Sequence, residues 1–316
     1  WRWRPALRMP SEDARRIGAL GGAGIIALLA QQAAVVVTLR LSKESGDLGT
    51  ITVYTYAQAV YLLPYAVLAV PVATSAFPAL AARSGAGEDV TATLQRTLRA
   101  VLILTGLSVG VLIAAAPAVG AFFSLLDAHR GDGATSSAAL AALPATLTAY
   151  APGLVGFGLT ALLTRALYVR GRPTDAGLAA ALGWSLAALL PLVVLAGGQS
   201  PAVTLRWLGI GSTIGMTVSG IALVLLVRRT WGTEVTRGAG RTTGALVVAV
   251  ALAVAVGDLV THGRTIDSLP EAVGIGLAAG GAALVVGVVA LSIGDREMMS
   301  QVLQRGRARR RGGSQE

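Results

Sequence analysis

Long apolar runs, each closed by a short polar segment carrying arginine, recur along the whole of this 316-residue chain. A run of about 20 apolar residues crosses the hydrocarbon layer of a bilayer as a helix. On that rule the pattern predicts an all-α polytopic membrane protein with eight transmembrane helices, at about 17–39, 51–81, 100–123, 146–169, 176–197, 205–227, 243–261 and 270–293. Residues 88–99, EDVTATLQRTLR, place Val90, Leu94 and Leu98 on one side, which predicts a short amphipathic helix lying in the interface. The chain divides accordingly into a juxtamembrane segment at 1–14, a six-helix lobe at 15–227, a polar linker at 228–242, an additional helix pair at 243–293 and a basic tail at 294–316.

The second run, ITVYTYAQAVYLLPYAVLAVPVATSAFPALAA, departs from the rest. It holds Pro64, Pro71 and Pro78, spaced seven residues apart, so an uninterrupted α-helix would carry all three on one face. Each proline removes a backbone hydrogen bond and kinks the helix. In lipid the freed carbonyls need neighbouring helices or a wet cavity to satisfy them. The same run carries Tyr54, Thr55, Tyr56, Gln58, Tyr61, Tyr65, Thr74 and Ser75. A bent, polar helix flanked by apolar ones suits the border of a transport path. The alternative is a kinked helix with a purely structural role.

Charge then fixes an orientation. Loops taken alternately from the N-terminus hold 20 basic residues, whereas the opposite set holds five: Arg40, Lys43, Arg130, Arg206 and Arg264. Basic loops stay on the cytoplasmic side, so both termini are expected there. The net charge of +10 is thus dispersed over short loops, with no basic domain interleaved with aromatics, and a nucleic-acid partner is not expected. The tail cluster RGRARRR at 305–311 is read as a topology determinant in contact with anionic membrane lipids. Small residues four apart, at Gly18/Gly22, Gly106/Gly110, Gly211/Gly215 and Gly276/Gly280, predict close helix approaches.

Composition removes several chemistries. Charged residues make up 13% of the chain, against roughly 25% in soluble domains. With no cysteine there is no disulfide, thiol nucleophile or thiolate metal site. The one lysine, Lys43, follows no glycine-rich loop, so no P-loop exists. His129 and His262 both fall in predicted loops, and neither a metal site nor a cofactor is expected. No paired buried carboxylates occur, so this chain offers no evident proton or sodium coupling site, and the lack of a catalytic triad argues against an enzyme. Arginine in place of lysine, the absence of asparagine and the abundance of alanine and glycine suggest a GC-rich, bacterial genome. The chain opens on Trp1 rather than Met, consistent with a C-terminal piece of a longer protein.

Ionisable or polar groups within spans are costly in lipid and are therefore candidate sites. Those at depth are Gln31 and Gln32 in the first span, Gln58, Tyr61 and Thr74 in the second, and Arg165 in the fourth. For the glutamines, hydrogen bonding between helices is the alternative role. For Arg165 it is snorkelling towards the headgroups. The expected cavity-lining set is Gln31, Gln58, Tyr61, Thr74 and Arg165, with Pro64, Pro71 and Pro78 as kink residues.

The second run also resembles a signature of the MurJ/MviN lipid II flippase family, within the MATE-like exporter superfamily. The resemblance rests on Tyr56-Ala57, Pro64, Val67, Ala73-Thr74, and Pro78 with Leu80. Two further stretches support it: TLRAVLILTGLSVGVLIAAAPAVGAFFSLL, and RALYVRGRP at 165–173, where Leu167 replaces the family's usual phenylalanine. It covers about residues 15–293. It implies two six-helix lobes facing a central cavity and then two helices forming a lipid-tail groove, so this chain would hold the second lobe and the groove pair. It further implies transport of lipid-linked peptidoglycan precursor by alternating access, driven by ion gradients or membrane potential, in the bacterial cytoplasmic membrane, with cell-wall synthesis proteins as further partners. The sequence departs from the family at Ala59 and Leu62, where well-studied members carry an arginine and a glutamate facing the cavity. That departure keeps open an exporter of another lipid-linked saccharide or of drugs, and a non-transporting scaffold of the cell-wall machinery.

Overall fold

A computed structural model of the chain describes residues 11–44, 49–86, 89–130, 137–195 and 199–295. The juxtamembrane segment up to residue 10 and the tail beyond Asp295, with its arginine cluster, lie outside the described residues. Among the described residues all regular structure is helical. In chain order the elements are α1 (Ser11–Glu44), α2 (Gly49–Pro64), a π-helical turn (Tyr65–Ala69), α3 (Val70–Gly85), α4 (Thr91–Arg130), α5 (Ser137–Ala141), α6 (Leu143–Tyr150), α7 (Gly153–Val169), α8 (Pro173–Val194), α9 (Pro201–Trp231), a 3-10 turn (Thr233–Thr236), α10 (Ala239–Thr261) and α11 (Leu269–Gly294). Seven of these runs are long and apolar enough to cross a membrane, and the bent α5/α6–α7 segment makes an eighth. The chain is a multi-pass membrane protein.

Three elements differ from the sequence expectation, each for a physical reason. The amphipathic segment is no separate interfacial helix but the first turns of α4, a 40-residue helix that runs on through the third span. Nothing between Arg99 and Ala100 breaks the helix, and Val90, Leu94 and Leu98 bury their shared face in the protein's own core. Asp89 caps it: a carboxylate oxygen accepts the Thr91 backbone N–H at 2.8 Å. The fourth span is not one rod. It breaks at Ala151–Pro152 with a bend of 49°, because Pro152 has no N–H to continue the ladder. His129 belongs to the last turn of α4, its Nδ1 at 2.7 Å from the Leu125 carbonyl, rather than to a loop.

Without a hydrophobic driving force between helices in lipid, close packing of small residues holds such a bundle together. α9 runs between α7 and α8, and α1 lies along α8. A Cβ on Gly156 would overlap the Met216 carbonyl of α9, and one on Gly177 would stand 2.6 Å from the Ala23 carbonyl of α1. Of the four predicted pairs, Gly106/Gly110 meets Leu246 and Ala253 of α10, and Gly211/Gly215 meets Pro191 and Ala187 of α8. Gly276/Gly280 touches Ala118 and Val111 of α4 more loosely. Among the described residues Gly18 and Gly22 meet nothing within 4 Å, so that pair packs against no helix there.

The helix pair α10–α11 leans on α4 and is tied down at one end by a buried polar cluster. Arg99 Nη2 donates to Asp295 Oδ2 at 2.5 Å, Thr242 donates to the same oxygen at 2.7 Å, and Arg99 Nε donates to Thr242 Oγ1 at 3.1 Å. Beside it Gln95 Nε2 donates to the Arg237 carbonyl at 2.8 Å. Gly238, at φ +80°, brings the backbone against the Arg99 guanidinium in a conformation that favours glycine.

Candidate functional site

The second span is a single rod, α2 and α3 joined by the π-turn between Pro64 and Pro71. Pro64 cannot donate to the carbonyl one turn before it, and Pro71 repeats the loss beyond the turn. The chain absorbs both losses by widening: the Val70 N–H reaches back to the Tyr65 carbonyl, five residues away. The wider turn shifts the register. Pro71 and Pro78 therefore lie on the exposed side while Pro64 is half-buried, in place of the single proline face expected of a plain α-helix.

That rod has two distinct sides. Val53, Ala57, Tyr61, Ala69, Ala73 and Leu80 are buried against the rest of the lobe. Thr55, Ala59, Leu63, Val67, Pro71, Thr74 and Pro78 form a stripe left open along the full length of the rod. The stripe is made of small, hydroxyl-bearing and moderately apolar groups and carries no charge. The hydroxyls serve the helix itself: Thr55 donates to the Ile51 carbonyl at 2.9 Å, and Thr74 to Val70 at 2.8 Å.

The expected site residues fall in four places. Thr74 is on the open stripe. Gln58 is half-buried and donates from Nε2 to the Tyr54 hydroxyl at 3.0 Å, with the hydroxyls of Thr38 (α1) and Tyr150 (α6) beside the pair. Tyr61 points into the lobe, 1% exposed, its ring 5.3 Å from Tyr150 and 6.0 Å from Phe157. Gln31 is half-buried on α1, about 10 Å before Thr38 at 1.5 Å per residue. Arg165 is half-buried near the end of α7, its guanidinium on the Ala161 carbonyl and within electrostatic reach of the Tyr65 phenol. Gln58 and Tyr61 thus share one polar and aromatic cluster, Arg165 faces the π-turn, and Gln31 stands apart. No group of acidic and histidine side chains fit for a metal ion occurs among the described residues.

Sequence reading missed the residues that organise this region. Thr213 of α9 inserts its hydroxyl into the break of the fourth span, accepting from the Gly153 N–H at 3.2 Å and donating to the Ala149 carbonyl at 2.6 Å. Phe157 joins Tyr65 at 5.3 Å to Trp184 of α8 at 5.6 Å. The Pro152-Gly153 dipeptide was the available signal for the break, since such pairs punctuate helices. Nothing in the sequence pointed to Thr213.

A helical bundle whose proline-rich second span keeps an open side, beside a helix pair clamped to its flank, defines a multi-pass membrane protein. A family model described as lipid II flippase MurJ matches residues 1–267, and the chain belongs to that family. Among solved structures it is similar to lipid II flippase MurJ in an inward closed conformation, with a TM-score of 0.62 and 18% identity, over 86% of this chain and 53% of that one. That likeness concerns the fold, and the chain spans about half the length of the solved flippase. No curated protein matches the chain. The family is one of transporters rather than of catalysts.

Proposed function

We propose that the chain is the second lobe and groove pair of a lipid II flippase, which moves lipid-linked peptidoglycan precursor across the bacterial cytoplasmic membrane by alternating access. The observation that carries the reading is the family match over residues 1–267. The open stripe from Thr55 to Pro78 would face a first lobe across a hydrated cavity. Gln31, Gln58 and Thr74 are the polar residues assigned to that passage, Tyr61 being turned into the lobe, with Arg165 as the cation offered to a pyrophosphate, while the lipid tail stays in the bilayer along α10 and α11. Both termini lie on the cytoplasmic side in this reading, as the arginine asymmetry requires. With no nucleotide-binding loop in this chain, an ion gradient or the membrane potential would supply the drive.

Depletion of the full-length protein tests the reading. Lipid-linked precursor should then fail to reach the outer leaflet, and normal export after depletion would refute it. A second reading, export of another lipid-linked saccharide or of a drug, draws on one feature: exposed Ala59 leaves the open stripe without the cation common in the family. Complementation with single precursors separates the two. A scaffold role would instead leave growth intact when Gln58 or Arg165 is changed.

A further inference from the structure

We infer that the π-turn of the second span and the break of the fourth span work as one coupled joint, with Thr213 as the positioning residue that sets it; the inference rests on the alternating-access reading. Both spans lose backbone hydrogen bonds to proline, and they lose them side by side. Tyr61, one turn before the π-turn, bridges the break: it touches Tyr150 on the α6 side at 5.3 Å and Phe157 on the α7 side at 6.0 Å. Tyr65, the first residue of the π-turn, touches the same Phe157 at 5.3 Å. A change in the angle between α6 and α7 therefore displaces rings seated on the softest turn of the second span.

Two observations indicate an adjustable joint rather than a fixed core. A neighbouring helix supplies the link at the break: the Thr213 hydroxyl stands where a direct Gly153-to-Ala149 backbone bond would close an unbroken helix. Such a borrowed bond can be made or released by a small shift of α9. The Tyr61 hydroxyl, 1% exposed and buried, has no hydrogen-bond partner among the described residues. Buried polar groups are nearly always satisfied, so this hydroxyl needs a partner that the surrounding side chains do not supply in this arrangement: a water, an ion or a group brought in by movement. Two discrete arrangements of packed elements are what converts a local shift into a conformational switch.

This chain holds no cysteine, so once any thiol elsewhere in the full-length protein is replaced, the joint can be spin-labelled site by site. In the reconstituted full-length protein, one label pair at Ala145→Cys and Val203→Cys reads the swing of α6 against α9. A second pair, at Thr74→Cys and Leu225→Cys, reads α3 against α9. Thr213→Val removes the borrowed bonds at nearly constant volume and should shift both distances by a few ångströms, while Thr213→Ser should leave both in place. Pro152→Ala, which restores an N–H at the break, is a second perturbation that should also move both pairs. Adding Phe157→Leu should confine either effect to the first pair. Movement of the first pair alone without Phe157→Leu, or of neither pair, overturns the coupling. Because no lipid substrate enters the measurement, its failure is separate from a failure of the flippase reading.

Discussion

The Arg99 guanidinium meets the Asp295 carboxylate at 2.5 Å across the junction of the lobe and the helix pair, joining the start of α4 to the end of α11. The two side chains are 9% and 1% exposed, so the charges are shielded from water, and both bond to Thr242 as well as to each other. Removing one partner of a buried pair strands the other's charge, at a cost of about 3–5 kcal/mol. Arg99→Ala or Asp295→Ala should lower stability by that order in a denaturation series in detergent. The double change Arg99→Met with Asp295→Leu should recover most of it. A double variant that loses the sum of the two single losses would show that the two side chains act independently and that the pair itself contributes nothing.

Gly156 and Gly276 make a matched test of packing. A methyl at Gly156 would strike the Met216 backbone carbonyl, which cannot move aside without shifting α9, whereas one at Gly276 meets only Ala118 Cβ at 3.4 Å. Gly156→Ala should cost about 1–3 kcal/mol, the range for an overpacked core, and Gly276→Ala should be close to neutral. Thermal unfolding of the two variants side by side reads the difference.

Asp89 lies outside the membrane-spanning segments and should contribute to the pH dependence. Its hydrogen bonds with the Thr91 hydroxyl and backbone N–H, and the nearby Arg170, hold its carboxyl below its ordinary value of 3.8. The sign follows: the carboxylate's stabilisation of α4 is present above that ordinary value and is lost as the pH falls through the lowered one. Asp89→Asn should flatten the acid side of the stability curve and leave the neutral side nearly unchanged. An unaltered acid limb would show that the cap is not made.

Arg165 tests the proposed contact with substrate. If its guanidinium meets a pyrophosphate, Arg165→Ala in the full-length protein should reduce lipid II flipping in proteoliposomes by about tenfold or more, the effect of losing roughly 1.4 kcal/mol. Arg165→Lys should retain part of the activity, because a point charge remains without the planar fork. Undiminished flipping by the alanine variant would assign Arg165 to the helix end alone.

The spans were legible in the sequence because long apolar runs have few other uses, and the second one stood out because its prolines and tyrosines break that rule. What stayed hidden depended on partners far away in the chain. Arg99 read as one more loop arginine, since its carboxylate lies 196 residues later at Asp295, in what the pattern made a polar tail. Tyr61 read as a cavity group from its place in a polar helix, but the side on which a residue falls follows from the helix it meets, and α7 meets this one through Phe157. The π-turn was not visible either: spacing predicts one face for three prolines only while the helix stays regular.

Cysteine scanning of residues 53–78, with membrane-impermeant thiol reagents applied to the full-length protein from both sides, tests most directly whether the second span borders a wet passage. The account predicts that Thr55, Ala59 and Thr74 positions react while Val53, Ala57 and Ala69 positions stay protected, in a stripe that changes register across the π-turn. A rod unreactive at every position, with the stripe sealed against acyl chains, would contradict it.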